Sequence, residues 1–162
     1  MCALLAWAGV GKLRQPAATR VAAREIGLPS SRAAVRALGV VELGAAIAGA
    51  VFGGIAAALV AGLYVGLTVA SARLLRRAPG TPCGCLGAST APASRAHVIV
   101  NAAAVVVSVS AAALGGSPLA RAAASPLGGM PLFVLAALTA WLAALTIDAR
   151  PGLARATREG SR

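Results

Sequence analysis

Acidic residues are nearly missing: the 162-residue chain carries four Asp and Glu against fifteen Lys and Arg, with one His and three Cys. So few carboxylates leave no pair for general acid and base work. Neither a phosphate-cradling Gly-rich loop nor a Ser-centred catalytic motif takes their place, so nothing supports a hydrolase. Charge of either sign is also scarce, at 12%, against about a quarter in soluble domains, while hydrophobic residues reach 59% and mean hydropathy is +0.83. That composition is not a soluble globule's. Aromatics make up only 3%, so no aromatic-interleaved basic patch turns the net charge of +11 into a nucleic-acid surface, and no nucleic-acid partner is expected. What remains is Ala, Val, Leu and Gly, small residues that let helices approach closely in lipid.

The apolar runs predict an all-α polytopic membrane protein, an up-down bundle of four to five transmembrane helices in contact with membrane lipid. The weakly charged run from Leu38 to Ala72 is too long for one span of roughly 20 residues, and Phe52-Gly53-Gly54 sits near its middle as a tight turn. Spans are therefore expected at 38–53 and 54–75. Two further runs, 96–114 and 130–147, end at Gly115-Gly116-Ser117-Pro118 and Asp148-Ala149-Arg150-Pro151. The opening Met1 to Gly11 is too short to cross alone and lacks the features of a secretory signal, so it reads as the inner end of a first span. Residues 1–149 then form one helical domain, and 150–162 a basic disordered tail. No internal repeat or heptad emerges.

Charge alternates between the connections as five helices require. Lys12, Arg14, Arg20, Arg24, Arg32 and Arg36 lie in the first, Arg73, Arg76, Arg77 and Arg95 in the third, and Arg150, Arg155, Arg158 and Arg162 in the tail; Arg121 stands alone on the other side. The positive-inside rule makes the basic loops cytoplasmic in a multi-pass protein of the cell membrane.

Thr81-Pro82-Cys83-Gly84-Cys85-Leu86-Gly87 is the segment that composition does not explain. Two thiols separated by one Gly, in a loop between two helices, are placed to exchange disulfides with another protein through thiolate attack. Gly84 supplies the backbone freedom such a small ring needs, and the loop position promises a partner access to the sulfurs. Arg73, Arg76, Arg77 and Arg95 are near enough in sequence to favour the thiolate. Two other readings stay open: a metal half-site completed by His97 or another chain, and a pair of inert loop cysteines. No metal or cofactor is expected.

Ala8-Gly9-Val10-Gly11-Lys12-Leu13, Val41-Glu42-Leu43-Gly44, Pro82-Cys83-Gly84-Cys85-Leu86-Gly87 and Asn101 together resemble the methylamine utilisation protein MauE family, itself similar in layout to the DoxX-like small helical membrane proteins. The resemblance covers about residues 1–116. The family's motif usually reads Cys-Gly-Cys-Phe-Gly where this chain has Leu86, and its Arg-Asn pair is Val100-Asn101 here. What the resemblance implies is support for the maturation of methylamine dehydrogenase through its disulfides. The implied partners are a thioredoxin-like protein or the methylamine dehydrogenase small subunit. Maturation of a secreted enzyme calls for the thiols on the outer face, whereas the charge count puts them inside.

Three more residues stand out. Glu42 is the only acid inside a span, and intramembrane carboxylates are functional candidates by default. It either pairs with Lys12 or Arg36 to fix packing or relays protons for the thiols. His97 and Asn101, four apart, share a helix face; His97 is an interfacial polar residue or a proton-exchanging base, and Asn101 an interhelical hydrogen-bonding residue. Two functional classes follow: a thiol-disulfide redox membrane protein using Cys83 and Cys85, or a non-catalytic scaffold that anchors a maturation complex. A transporter is disfavoured by the absence of an inverted repeat or broken-helix pair.

Overall fold

The computed structural model describes residues 1–85, 92–125, 129–131, 134–139 and 141–142. Its named elements are all helical: α1 (Cys2–Arg14), α2 (Ala17–Glu25), α3 (Arg32–Phe52), α4 (Gly54–Arg77), α5 (Arg95–Leu114) and α6 (Pro118–Ala123). Three of them, α3, α4 and α5, are long and apolar enough to cross a membrane. They correspond to the spans expected at 38–53, 54–75 and 96–114. At 13 residues α1 falls short of the roughly 20 needed. The span expected at 130–147 is described only in short helical pieces, and its remainder lies outside the described residues, as does the tail 150–162.

Helix boundaries follow local chemistry. Ser31, whose Oγ accepts from the Ala34 N–H at 3.0 Å, caps α3 and starts it at Arg32, earlier than the apolar run alone implies. Gly53, with φ +63°, ends α3 and begins α4 in a single residue, because only a glycine adopts that angle without strain. The hairpin makes α3 and α4 antiparallel.

Side-chain neighbours set the other pairings. Cys2 lies against Gly49 and Gly9 against Gly39, so α1 runs antiparallel to α3. Ser71 meets Asn101 near one end of the α4–α5 seam, while Ala57 and Val60 share a cavity wall with Val107 and Ala111 near the other. The up-down arrangement brings the C-termini of α1 and α4 and the N-termini of α3 and α5 to one end, together with α2. All described Lys and Arg except Arg121 are at that end.

The core mixes a few large side chains with small ones. Leu5, Ala46, Val60, Tyr64 and Ala104 form its centre. At the α1–α3 crossing, a Cβ on Gly9 would lie 2.7 Å from Gly39 O and one on Gly39 2.8 Å from Gly9 O. These backbones touch, and nothing larger fits between them. Outward-facing Val40, Ile47, Ile55, Leu59, Ile99 and Val106 are exposed, as a lipid-facing surface requires.

Candidate functional site

The Cys-Gly-Cys segment follows α4 and folds back into the basic end of the bundle. Both cysteines are free thiols, with their sulfurs 2.8 Å apart. Ser71, on α4, sits beneath them, its Oγ 3.1 Å from Cys85 Sγ and 3.5 Å from Cys83 Sγ. Asn101, on α5, donates from Nδ2 to Ser71 Oγ at 3.3 Å, which leaves the serine proton for a sulfur. Ser71 precedes Arg77 by six residues, roughly 9 Å of helix, so the thiols rest on a polar shelf below the arginine level.

Lys12 supplies the charge. Its side chain is 1% exposed, and Nζ donates to Glu42 Oε2 at 2.8 Å and to the Cys85 carbonyl at 2.9 Å. One ammonium thereby ties α1 to α3 and both to the cysteine loop. The Gly9–Gly39 contact, one helical turn before Lys12, brings the two helices close enough for this bond. Glu42 is fully buried, and its Oε1 has no hydrogen-bond partner among the described residues. Of the two cations the sequence offered as partners for Glu42, the structure selects Lys12; Arg36 is exposed.

The two thiols are unequal. The hydrogen bond from Cys85, helped by Ser71 and Lys12, holds the Cys83 thiol down at about 7 against burial, which pushes the other way. Cys85 keeps its proton, pushed up by donating to Cys83 and by burial. Two expectations need correction here. The cation that bears on both sulfurs is Lys12 rather than Arg73, Arg76, Arg77 or Arg95, all of which are exposed. The thiols are also not open to a partner: Cys83 is 5% and Cys85 8% exposed, in a cluster with Ala22, Ile26, Leu74 and Ala93. A loop following a span is not necessarily at the surface when its apolar sulfurs can pack between helices.

Part of the cover comes from α2, in a stretch that reads in sequence as a basic loop. Thr19 Oγ1 donates to Gly84 O at 2.9 Å. Gly84 has φ +64°, and a Cβ there would sit 2.6 Å from Thr19 Cα, so glycine is required both for the turn and for the close approach. Ser71 and Thr19 escaped the sequence reading. The available signals were a hydroxyl in the last turns of a span and the alternation of Ala, Val and Arg in residues 17–25, which gives one apolar face.

His97 is buried, and its Nδ1 joins Ser94 in a capping box, 3.3 Å from Ser94 N and 3.0 Å from Ser94 Oγ. These bonds serve the start of α5. Among the described residues no set of three or more His, Cys, Asp or Glu converges as metal ligands. Cys2 is far from the pair, lining a cavity of about 430 Å3 at the opposite end of the bundle.

No curated protein and no solved structure matches the chain. The profile of the methylamine utilisation protein MauE matches residues 1–116, a stretch that contains α1 to α5 and every side chain of the site just described. The chain therefore belongs to the methylamine utilisation protein MauE family, as a helical membrane protein.

Proposed function

We propose that this protein exchanges disulfides at the membrane through Cys83 and Cys85, supporting maturation of methylamine dehydrogenase or serving another thiol protein. The observation behind this reading is the sulfur pair itself, 2.8 Å apart over one shared hydroxyl, with the proton held unequally. In the reduced chain the Cys83 thiolate attacks one sulfur of a partner's disulfide. That bond breaks, its leaving sulfur takes a proton, and a mixed disulfide joins the two proteins. Cys85 then gives up its proton, and its sulfur attacks Cys83, expelling the partner's second sulfur as a thiol. Two electrons and two protons pass to the partner and a Cys83–Cys85 disulfide remains; the reverse sequence oxidises a partner dithiol.

The reaction needs no cofactor beyond the partner's own sulfurs, so a thioredoxin-like protein or the methylamine dehydrogenase small subunit suffices. In this reading Glu42, one of whose oxygens has no partner among the described residues, and His97 exchange protons with the site, Gly84 permits the small ring, and Lys12 and Asn101 hold the loop and Ser71 in place. The charge bias puts the basic end, thiols included, on the cytoplasmic face of the cell membrane, which favours a cytosolic thioredoxin-like partner over the secreted methylamine dehydrogenase. Burial of both thiols favours a second reading, a non-catalytic scaffold in which the cysteines only pack.

The test is alkylation of untreated and reduced protein followed by mass analysis of the peptide spanning Thr81 to Arg95. Cycling between two masses is expected, and Cys83→Ser or Cys85→Ser should trap or block the mixed disulfide. Full function of the double Cys83→Ser, Cys85→Ser protein overturns the exchange reading and leaves the scaffold.

A further inference from the structure

We infer that α2 is a hinged clamp over the cysteine loop, and that the sulfurs become reactive toward a partner only when it lifts. The purpose of the clamp rests on the exchange reading, while its geometry does not. A sulfur under attack must be approached along the axis of the bond it breaks or forms, so a thiol 5% exposed offers no path to a second protein.

Among the described residues, the cover over the pair includes a nine-residue helix with a break at each end, beside Leu74 and Ala93. Gln15, at φ −133° and ψ 74°, and Pro16 separate it from α1, and Gly27 at φ +75° separates it from α3. A helix this short is marginal without its tertiary contacts. Those contacts fall on the thiol site: Thr19 on the Gly84 carbonyl, and Ala22 and Ile26 in the cluster that holds both cysteines and Leu74. The other face carries exposed Val21, Arg24 and Glu25. A second tie, from Arg20 Nε to Ser30 O at 2.9 Å, lies within the same connection and travels with it. Lifting α2 uncovers the sulfurs but leaves Lys12, Ser71 and Asn101 in place, because those belong to α1, α4 and α5. The clamp thus separates access to the thiols from their chemistry, and shields them from small oxidants until a partner displaces it.

The experiment measures the alkylation rate of Cys83 and Cys85 by iodoacetamide in the reduced, detergent-solubilised full chain. Cys2, at the far end of the bundle, serves as an internal reference for general loosening. Thr19→Val keeps the shape of the residue but deletes the hydrogen bond, and Ile26→Ala thins the packing. Thr19→Val is expected to raise the rate at the pair by about fivefold to tenfold, the worth of one hydrogen bond, and Ile26→Ala, which removes three carbons, by more than about tenfold, with Cys2 unchanged. Val21→Ala, on the outer face, should change nothing.

Wild-type thiols that react as fast as those of the denatured chain overturn the clamp, and so does a slow wild-type rate that neither Thr19→Val nor Ile26→Ala alters. A rise at Cys2 equal to that at the pair also overturns it, since that reports global unfolding. The two ideas fail separately. Faster alkylation in Thr19→Val together with full function of the double Ser protein leaves the clamp and removes the exchange reading. Loss of function in the Ser variants with rates indifferent to α2 does the opposite.

Discussion

Replacing Lys12 by Met removes the buried ammonium on which α1, α3 and the cysteine loop converge. Two charge-assisted bonds vanish, at 2.8 Å to Glu42 Oε2 and 2.9 Å to Cys85 O. Glu42, whose Oε1 already has no partner among the described residues, is left buried with neither oxygen bonded to them. Removing one member of a buried ion pair costs about 3 to 5 kcal/mol, and the stranded Cys85 carbonyl adds about 1 kcal/mol. A loss of about 4 to 6 kcal/mol is comparable with the whole stability of many domains. The double variant Lys12→Met, Glu42→Leu has no orphaned charge, and apolar replacement of a buried pair is often neutral, so it should regain at least half of the loss. The measurement is a denaturant titration of the reconstituted protein, followed by helical circular dichroism, for both singles and the double. Near-wild-type stability of Lys12→Met, or a double variant whose loss equals the sum of the singles, would refute the view of Lys12 and Glu42 as one coupled pair.

Alkylation of Cys83 should rise with pH through a midpoint near 7 rather than near 9, because the thiolate attacks and its neighbours favour it; in Lys12→Met the midpoint should move up. A wild-type midpoint at 9 would show that Ser71, Cys85 and Lys12 do not act on it. Ser71→Ala strips the hydroxyl from both sulfurs and strands Asn101 Nδ2, so a stability loss of about 1 to 3 kcal/mol is expected together with an upward shift of the same midpoint. Gly9→Leu forces α1 away from Gly39 O and should abolish folding or separate Lys12 from Glu42, whereas Gly44→Leu, where a side chain meets open space, should be tolerated; equal yields of the two would contradict the close crossing. In a background without native thiols, Arg24→Cys and Ser117→Cys should label oppositely, with only the Ser117→Cys site reached by an impermeant maleimide in intact cells. Labelling of Arg24→Cys instead would put the thiol end outside.

Hydropathy alone located α3, α4 and α5, since a bilayer demands about 20 apolar residues whatever the neighbours are. The turn at Gly53 was legible for the same kind of reason: the run was too long for one span and glycine marked the break. Cys83 and Cys85 stood out because thiol spacing is a local property, and the recurrence of Gly-Lys-Leu, Glu-Leu and Cys-Gly-Cys pieces carried the family. The role of Gly9 was not legible, because a contact with Gly39 requires two helices to be brought together. Nor was α2, whose short basic stretch has too few residues to stand out by periodicity.

The sequence by itself determined a membrane-spanning helical chain with one pair of cysteines at its basic end, because span length, charge bias and thiol spacing are all written along the chain. Only the tertiary structure decided that the pair is buried rather than open, that Lys12 and not the nearby arginines reaches it, and that Ser71 and Thr19 take part. Those facts depend on which faces of α1, α2, α4 and α5 meet, at distances near 3 Å that no residue spacing can specify. In a bundle built from Ala and Gly the helices can settle at many rotations, and the polar contacts at one end select among them.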